Sequence, residues 1–431
     1  MKIYGCLLTL LVTHSFAHAQ VNPQYVPVPA NFNLTNPNAV VAPDIRYDNI
    51  DPSRQAFHLF LPDTTGTYPL VVYYHGGGFT GGSRSTVFNN PDRRARVKFF
   101  LDRGIAYASV GYRLLDTVSG DTIGVRKCMG DSKRGLQFIR YYAGDLHLDP
   151  QNIVLSGNSA GAGTALWLAT HPDMADPSSP DPVLQTSTRV CAVEMWASQS
   201  TYDIYKWESL VYDNYDGQGT DFTIDSIVDL LGFPLYSSFY GGLDSNYHLL
   251  HDPLLIQYRE DIDMLYHLSS DDPPIYFSNY SGAVYPSQDL YHHSLHGKAI
   301  HEAALQANLP EVKADIPALG INTTQGETPD DFLLRHLTNG CTSTTERDLP
   351  SRIPKMVVYP NPAHSQLRVS LHGGTIAESA LFSLTGKLVR ESRNPGTGEV
   401  VFEVSTLRPG IYFLRLTDQA GQVQNARIII E

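Results

Sequence analysis

The fold is decided by residues 152–168, which read NIVLSGNSAGAGTALWL. Residues 152–156 are a short apolar run typical of a buried strand, and residues 160–171 have the composition of a helix. Between the two stands the pattern G-x-S-x-G, residues 157–161. A serine on a sharp strand-to-helix turn is lifted above the edge of a sheet, so the pattern predicts a nucleophile elbow with Ser159 as the nucleophile.

A second glycine-rich segment follows another buried-type strand, residues 69–74, and reads HGGGF over residues 75–79. Consecutive glycines let backbone N–H groups approach a ligand closely. In acyl transfer such donors stabilise the oxyanion of a tetrahedral intermediate. We therefore predict an oxyanion hole formed by the N–H groups of Gly77, Gly78 and Ala160.

The surrounding chain, residues 45–340, alternates strand-like and helix-like runs. This alternation predicts an α/β fold with a mostly parallel sheet and helices on both faces. Residues 199–270 break the pattern and are rich in Tyr, Asp and Gly, which favours an inserted cap over a plain loop. The aromatic residues of this insert either stack on substrate or pack the cap, and ordinary packing is the favoured interpretation.

With both motifs in place, the span from about Tyr47 to Leu337 resembles the α/β-hydrolase fold, in the branch that carries an H-G-G-G oxyanion loop. That branch includes carboxylesterases and hormone-sensitive-lipase-like esterases. Residues 131–140 resemble the helix that precedes the elbow strand in this family. The resemblance implies a serine hydrolase acting on a carboxylic ester, with no cofactor and no catalytic metal.

The resemblance also implies a catalytic acid after the strand that begins at Ile275. Asp289 is the only acidic residue between Ile275 and the next predicted helix, and we predict that it is the catalytic acid. Asp271 and Asp272 precede that strand, so they belong to the wrong end of the sheet and are interpreted as turn or capping residues.

The histidine of the triad is harder to assign. The family places it before the last helix, where this chain has Gln325-Gly326, and glutamine cannot accept the proton. His293 is the preferred base, with His292 as the alternative, because both follow Asp289 in a loop on the same face of the sheet. His336 lies late in the last predicted helix. A chain without any such base would be a catalytically inactive, hydrolase-like binding protein, and this alternative stays open.

The two ends of the chain differ in sequence pattern from the central α/β region and from each other. Residues 1–19 have a basic start, a short apolar core and an A-x-A site, which predict a signal peptide. Residues 342–354 are interpreted as a linker, which leaves residues 20–341 for the hydrolase domain. Residues 355–431 contain short alternating runs separated by turn residues, which predict an antiparallel β-sandwich.

This C-terminal segment resembles the sorting domain of the type IX (Por) secretion system. The matching residues read YPNP at 359–362, LTGK at 384–387 and LRPGIY at 407–412. The resemblance implies export across the outer membrane of a Gram-negative bacterium, hence a secreted or cell-surface protein. It also makes the type IX machinery a partner, beside a small-molecule or polysaccharide-borne ester as substrate.

The composition argues against two classes of protein, nucleic-acid-binding proteins and membrane-spanning proteins. The formal net charge is -13 and no long basic run occurs, which argues against nucleic-acid binding. No segment has 18 uninterrupted apolar residues, so the chain is not expected to span a membrane. Outside the signal peptide the cysteines are Cys128, Cys191 and Cys341, which allow either one bridge and one free thiol or three free thiols.

Overall fold

The computed structural model describes most of the chain between residues 21 and 430. The described ranges are 21–118, 120–212, 222–242, 253–282, 285–341, 355–360, 363–372, 374–383, 387–393, 396–419, 421 and 423–430. The predicted signal peptide and linker lie outside these ranges, as do parts of the predicted insert. No helix among the described residues is both long enough and apolar enough to cross a membrane.

A ten-stranded sheet forms the centre of the first domain within the described residues. Its strands are β1 (Val26–Pro27), β2 (Val40–Arg46), β3 (Ala56–Leu61), β4 (Tyr68–Tyr74), β5 (Ala106–Val110), β6 (Leu148–Asn158), β7 (Val193–Trp196), β8 (Ile275–Ser278), β9 (Val312–Ile316) and β10 (Ile321–Asn322). Their spatial order is β1-β2-β3-β5-β4-β6-β7-β8-β9-β10. The strands from β4 to β9 pair in parallel, whereas β1, β2, β3 and β10 pair antiparallel. The predicted mostly parallel sheet is confirmed.

Helices cover both faces of this sheet. They are α1 (Thr86–Asn89), α2 (Pro91–Leu101), α3 (Val125–Tyr141), α4 (Ala160–Thr170), α5 (Ile224–Leu231), α6 (Phe233–Phe239), α7 (Pro253–Asp261), α8 (Met264–His267), α9 (Ser294–Gln306) and α10 (Pro329–Thr338). Successive residues of β4 alternate between two cores: Val72 joins the core packed by α3, α4 and α9, and Val71 joins the core packed by α2 and α10. Because both faces are covered, β4 and β5 read as continuous apolar runs.

The predicted insert contains the short helices α5 to α8. Its described aromatic side chains belong mainly to the core: Tyr202, Trp207, Tyr212, Tyr236 and Tyr240 are all buried. They pack the insert onto the rest of the α/β domain, as the favoured interpretation of the sequence had it.

The C-terminal residues form two antiparallel sheets. Their strands are β11 (Lys355–Tyr359), β12 (Gln366–His372), β13 (Ile376–Ser383), β14 (Leu388–Arg393), β15 (Glu399–Glu403), β16 (Gly410–Asp418) and β17 (Val423–Ile430). One sheet has the order β11-β12-β15 and the other β14-β13-β16-β17. Alternate residues such as Leu367, Val369, Leu414 and Leu416 share one apolar core, which confirms the predicted two-sheet module.

The cysteines within the described residues form one disulfide bridge and leave one free thiol. Cys191, just before β7, is paired with Cys341, which follows α10. Cys128 is buried in α3 as a free thiol, and burial raises its pKa. The bridge ties the last helix of the α/β domain to the sheet next to the elbow strand.

Candidate active site

The nucleophile elbow connects β6 directly to α4. Ser159 stands between them with φ 52° and ψ -124°, a backbone conformation that residues other than glycine rarely adopt. Neighbouring backbone atoms leave no room for a Cβ at the glycines on either side of Ser159. At Gly157 a Cβ would lie 2.2 Å from the carbonyl oxygen of Gly161, and at Gly161 it would lie 2.1 Å from the carbonyl oxygen of Tyr74. Close backbone packing therefore requires glycine at both positions of the motif, as the sequence pattern predicts.

The glycine loop after β4 lies against this elbow. A Cβ placed on Gly76 would be 3.1 Å from Ser159 Cβ, and the N–H of Gly76 donates to Asn158 Oδ1 at 3.2 Å. Gly77 and Gly78 have φ values of 121° and 60°. These positive values turn the loop sharply and account for Gly77 and Gly78, while the close approach of Asn158 and Ser159 accounts for Gly76.

Three backbone N–H groups of the glycine loop and the elbow have no hydrogen-bond acceptor among the described residues. Within the described part of the chain, no acceptor receives a hydrogen bond from the N–H groups of Gly77, Gly78 or Ala160. Ala160 is the first residue of α4, whose first N–H groups have no partner inside the helix. These are the donors predicted for the oxyanion hole.

His75, the residue before the three glycines, stabilises the glycine loop by a hydrogen bond and by ring stacking. Its Nδ1 lies 2.8 Å from the carbonyl oxygen of Gly76, and its ring stacks on Tyr112 at 4.3 Å between centroids. Tyr112 also donates its hydroxyl to the carbonyl oxygen of His75. Burial lowers the pKa of His75 to about 4, so the ring is neutral at pH 7 and acts as a packing element of the loop.

A histidine and an aspartate complete the group around Ser159. His292 Nε2 lies 2.8 Å from Ser159 Oγ, and His292 Nδ1 lies 3.3 Å from Asp289 Oδ1. The second carboxylate oxygen of Asp289 accepts a hydrogen bond from Ser281 Oγ at 3.0 Å. The imidazole therefore joins the serine hydroxyl to the carboxylate through its two nitrogens, which is the spatial order of a Ser-His-Asp triad.

The structure brings His292 to Ser159, and not the preferred His293. His293 is only 3% exposed, and its Nδ1 accepts a hydrogen bond from the N–H of Leu295 at 3.3 Å. It is the N-cap residue of α9. His292 itself lies in the turn that precedes α9, where its N–H donates to Asp289 Oδ1 at 3.1 Å. With His293 engaged as the cap, the ring that reaches the serine is that of His292.

Side chains from distant parts of the chain hold the loop that carries His292. Every carbonyl oxygen from Leu290 to His293 accepts a hydrogen bond. The donors are Tyr212 Oη and His296 Nε2 to Leu290, Gln199 Nε2 to Tyr291, Asn279 Nδ2 to His292, and the N–H of His296 to His293. The sequence analysis missed these positioning residues, and only their polar type in apolar surroundings could have drawn attention to them.

The other candidate residues lie away from the serine. Gln325 is exposed in the loop before α10. His336 has its Nε2 3.2 Å from Glu311 Oε2 and packs on Phe332. Asp271 and Asp272 both pair with Arg189 ahead of β8, in agreement with their interpretation as turn residues.

Two family models match the chain. Residues 57–233 match BD-FAE, and residues 357–431 match the secretion system C-terminal sorting domain. The first match confirms the predicted resemblance to α/β-hydrolase esterases and the class of carboxylic ester hydrolase, while the H-G-G-G branch stays a prediction. The second confirms the predicted type IX sorting domain.

Solved structures of hydrolases resemble the chain at low identity. A bifunctional GH43-CE protein of Bacteroides eggerthii is 18% identical with a TM-score of 0.47, over 69% of this chain and 38% of that one. An acetyl ester-xyloside bifunctional hydrolase of Caldicellulosiruptor lactoaceticus is 17% identical with a TM-score of 0.43, over 75% and 97%. Esterase 2 of Thermogutta terrifontis is 18% identical with a TM-score of 0.42, over 71% and 94%. Curated protein sequences give no significant match.

Proposed function

We propose that this protein is a secreted serine hydrolase that cleaves a carboxylic ester through an acyl-enzyme. The observation that carries the proposal is the contact of 2.8 Å between Ser159 Oγ and His292 Nε2, with Asp289 on the other ring nitrogen. An imidazole in this position accepts the serine proton, and a carboxylate behind it fixes the tautomer and stabilises the imidazolium.

The reaction then follows from the positions of these groups. Ser159 Oγ attacks the ester carbonyl while its proton moves to His292 Nε2, which gives a tetrahedral intermediate. The N–H groups of Gly77, Gly78 and Ala160 bind the negative oxygen, aided by the N-terminus of α4. His292 next donates its proton to the departing alcohol and leaves the acyl group on Ser159. Water, deprotonated by the same imidazole, then attacks the acyl carbonyl. His292 returns the proton to Ser159 Oγ as the bond to the acyl group breaks and the carboxylic acid leaves.

The alternative is an inactive, hydrolase-like binding protein. The sequence raised it because Gln325 occupies the expected histidine position. The contact between His292 and Ser159 supplies a base from a different loop, and this is the reason for preferring the enzyme. The loop of His292 is also held by four side chains, an ordering expected where an imidazole must keep one orientation.

Covalent labelling of the wild-type protein tests the proposal. A fluorophosphonate that reacts with activated serines should modify one residue, and peptide mass spectrometry should locate the adduct on Ser159. With p-nitrophenyl acetate in excess, a burst of p-nitrophenol equal to the enzyme concentration is expected wherever deacylation is the slower step. A protein that is folded but neither labelled at Ser159 nor hydrolytic would be the inactive binding protein.

We further propose that residues 355–431 direct the protein out of the cell. Deleting them in a host with type IX secretion should leave the truncated protein in the periplasm, because the signal that the export machinery recognises is lost. The truncated chain keeps both Cys191 and Cys341, so the hydrolase domain should stay folded and retain ester hydrolysis in periplasmic extracts. Immunoblots of medium, surface and periplasmic fractions measure the distribution, and undiminished export of the truncated protein would contradict this role.

A further inference from the structure

A cluster of metal-ligand side chains lies where the insert meets the hydrolase body, away from Ser159. It consists of His171, directly after α4, Asp261 at the end of α7 and His267 at the end of α8. One ligand atom from each residue lies within 4.8 Å of the others. Ser159 and His171 cap the two ends of α4 and are 12 residues apart, so a rise of about 1.5 Å per residue separates them by about 18 Å. The cluster therefore takes no part in the ester chemistry.

Two contacts hold these side chains at separations close to those between the ligand atoms of a bound metal ion. His171 Nε2 lies 3.2 Å from Asp261 Oδ1, and the rings of His171 and His267 have centroids 4.0 Å apart. A tetrahedral ion with ligand bonds of about 2.1 Å separates neighbouring ligand atoms by about 3.4 Å. Small side-chain rotations are thus enough to close the three groups around one ion.

His171 has a ring nitrogen that lacks a partner. Its Nδ1 is buried and has no hydrogen-bond partner among the described residues. Buried polar atoms are nearly always satisfied by protein, ordered water or an ion, so the contact with Asp261 does not use up the binding capacity of this ring.

Neighbouring groups orient two of these residues, Asp261 and His267. Arg126 Nε holds the second oxygen of Asp261 at 2.6 Å, and the carbonyl oxygen of Asp261 lies 3.3 Å from His267 Nε2 and 2.6 Å from Trp167 Nε1. Ligating histidines and carboxylates commonly have such outer hydrogen bonds, which fix ring tautomers and carboxylate orientation.

We propose that His171, Asp261 and His267 bind a divalent transition-metal ion of the zinc type, which fastens the insert to the end of the elbow helix. Two imidazoles and one carboxylate suit Zn²⁺, whereas Ca²⁺ and Mg²⁺ require mainly oxygen ligands. One ligand comes from the hydrolase body and two come from the insert, so the ion joins segments that are about 90 residues apart in sequence.

Zinc binding by the full-length protein tests this proposal. After chelation and dialysis against Zn²⁺, the wild type should retain one zinc per chain by elemental analysis, and Zn²⁺ but not Ca²⁺ should raise its melting temperature. His171→Gln and His267→Gln should each weaken zinc binding at least about 100-fold. His301→Gln, a change of the same kind in α9 outside the cluster, should bind zinc like the wild type.

Two results would overturn the proposal. The first is wild-type protein without stoichiometric zinc, which would mean that water occupies the cluster. The second is zinc that persists in both His171→Gln and His267→Gln, each shown by circular dichroism to be folded, since the metal would then sit elsewhere. Two variants are used so that misfolding of one leaves the other to decide.

Discussion

Replacing Ser159 by alanine is expected to lower kcat for p-nitrophenyl acetate about a million-fold. Loss of the nucleophile of a serine triad has an effect of this size, and only the oxyanion donors and the binding pocket remain to assist attack by water. The change removes a single oxygen atom and leaves a residue with a Cβ, so the backbone at φ 52° carries the same strain as before. Ser159→Ala should therefore fold normally, and its KM should change much less than its kcat.

A serine outside the site provides the matched control for this experiment. Ser178 is exposed in a turn, where its hydroxyl donates to Asp176. Ser178→Ala removes the same atom and should hydrolyse the ester at the wild-type rate. Equal rates for wild type and Ser159→Ala, at matched circular dichroism spectra, would mean that the hydrolysis belongs to another group, and the acyl-enzyme proposal would fail.

The parts of the molecule that could be predicted from the sequence are those that depend on local geometry. A run such as residues 152–156 must be a strand, and glycines at 157 and 161 are required because neighbouring backbone atoms leave no space for a Cβ. These constraints act over a few residues and leave a direct trace in the sequence. The same holds for the alternating strands of the C-terminal sheets, where residue spacing alone separates the buried face from the exposed face.

The histidine could not be assigned from the sequence, for a physical reason. The direction of a side chain in an irregular loop depends on what holds the backbone of that loop. Here the carbonyl groups around His292 are held by Gln199, Tyr212 and Asn279, which lie between 13 and 92 residues away along the chain. No periodicity connects such residues, so the sequence leaves the choice between His292 and His293 open. The pairing of Cys191 with Cys341, 150 residues apart, was open for the same reason.

The choice between the two histidines can be settled by matched substitutions. His292→Asn should lower kcat by about a million-fold, because asparagine cannot accept the proton of Ser159 and the base of a serine triad is as essential as the nucleophile. His293→Asn should leave kcat within about ten-fold of the wild type. Asparagine is among the preferred N-cap residues, so its side-chain oxygen can accept the hydrogen bond from the Leu295 N–H that His293 Nδ1 accepts now.

Three measurements separate a lost base from a disturbed loop. Steady-state kinetics give kcat and KM, thermal unfolding reports any damage to α9, and fluorophosphonate labelling reports whether Ser159 is still activated. His292→Asn should keep its melting temperature, because the side chain of His292 is 37% exposed. Its labelling should slow in step with kcat, because the imidazole that activates Ser159 is gone. His336→Asn, on α10 beside Glu311, should match the wild type in steady-state kinetics and in labelling. If His293→Asn instead abolishes turnover at an unchanged melting temperature while His292→Asn remains active, then His293 is the base, and the loop after β8 must rearrange when substrate binds.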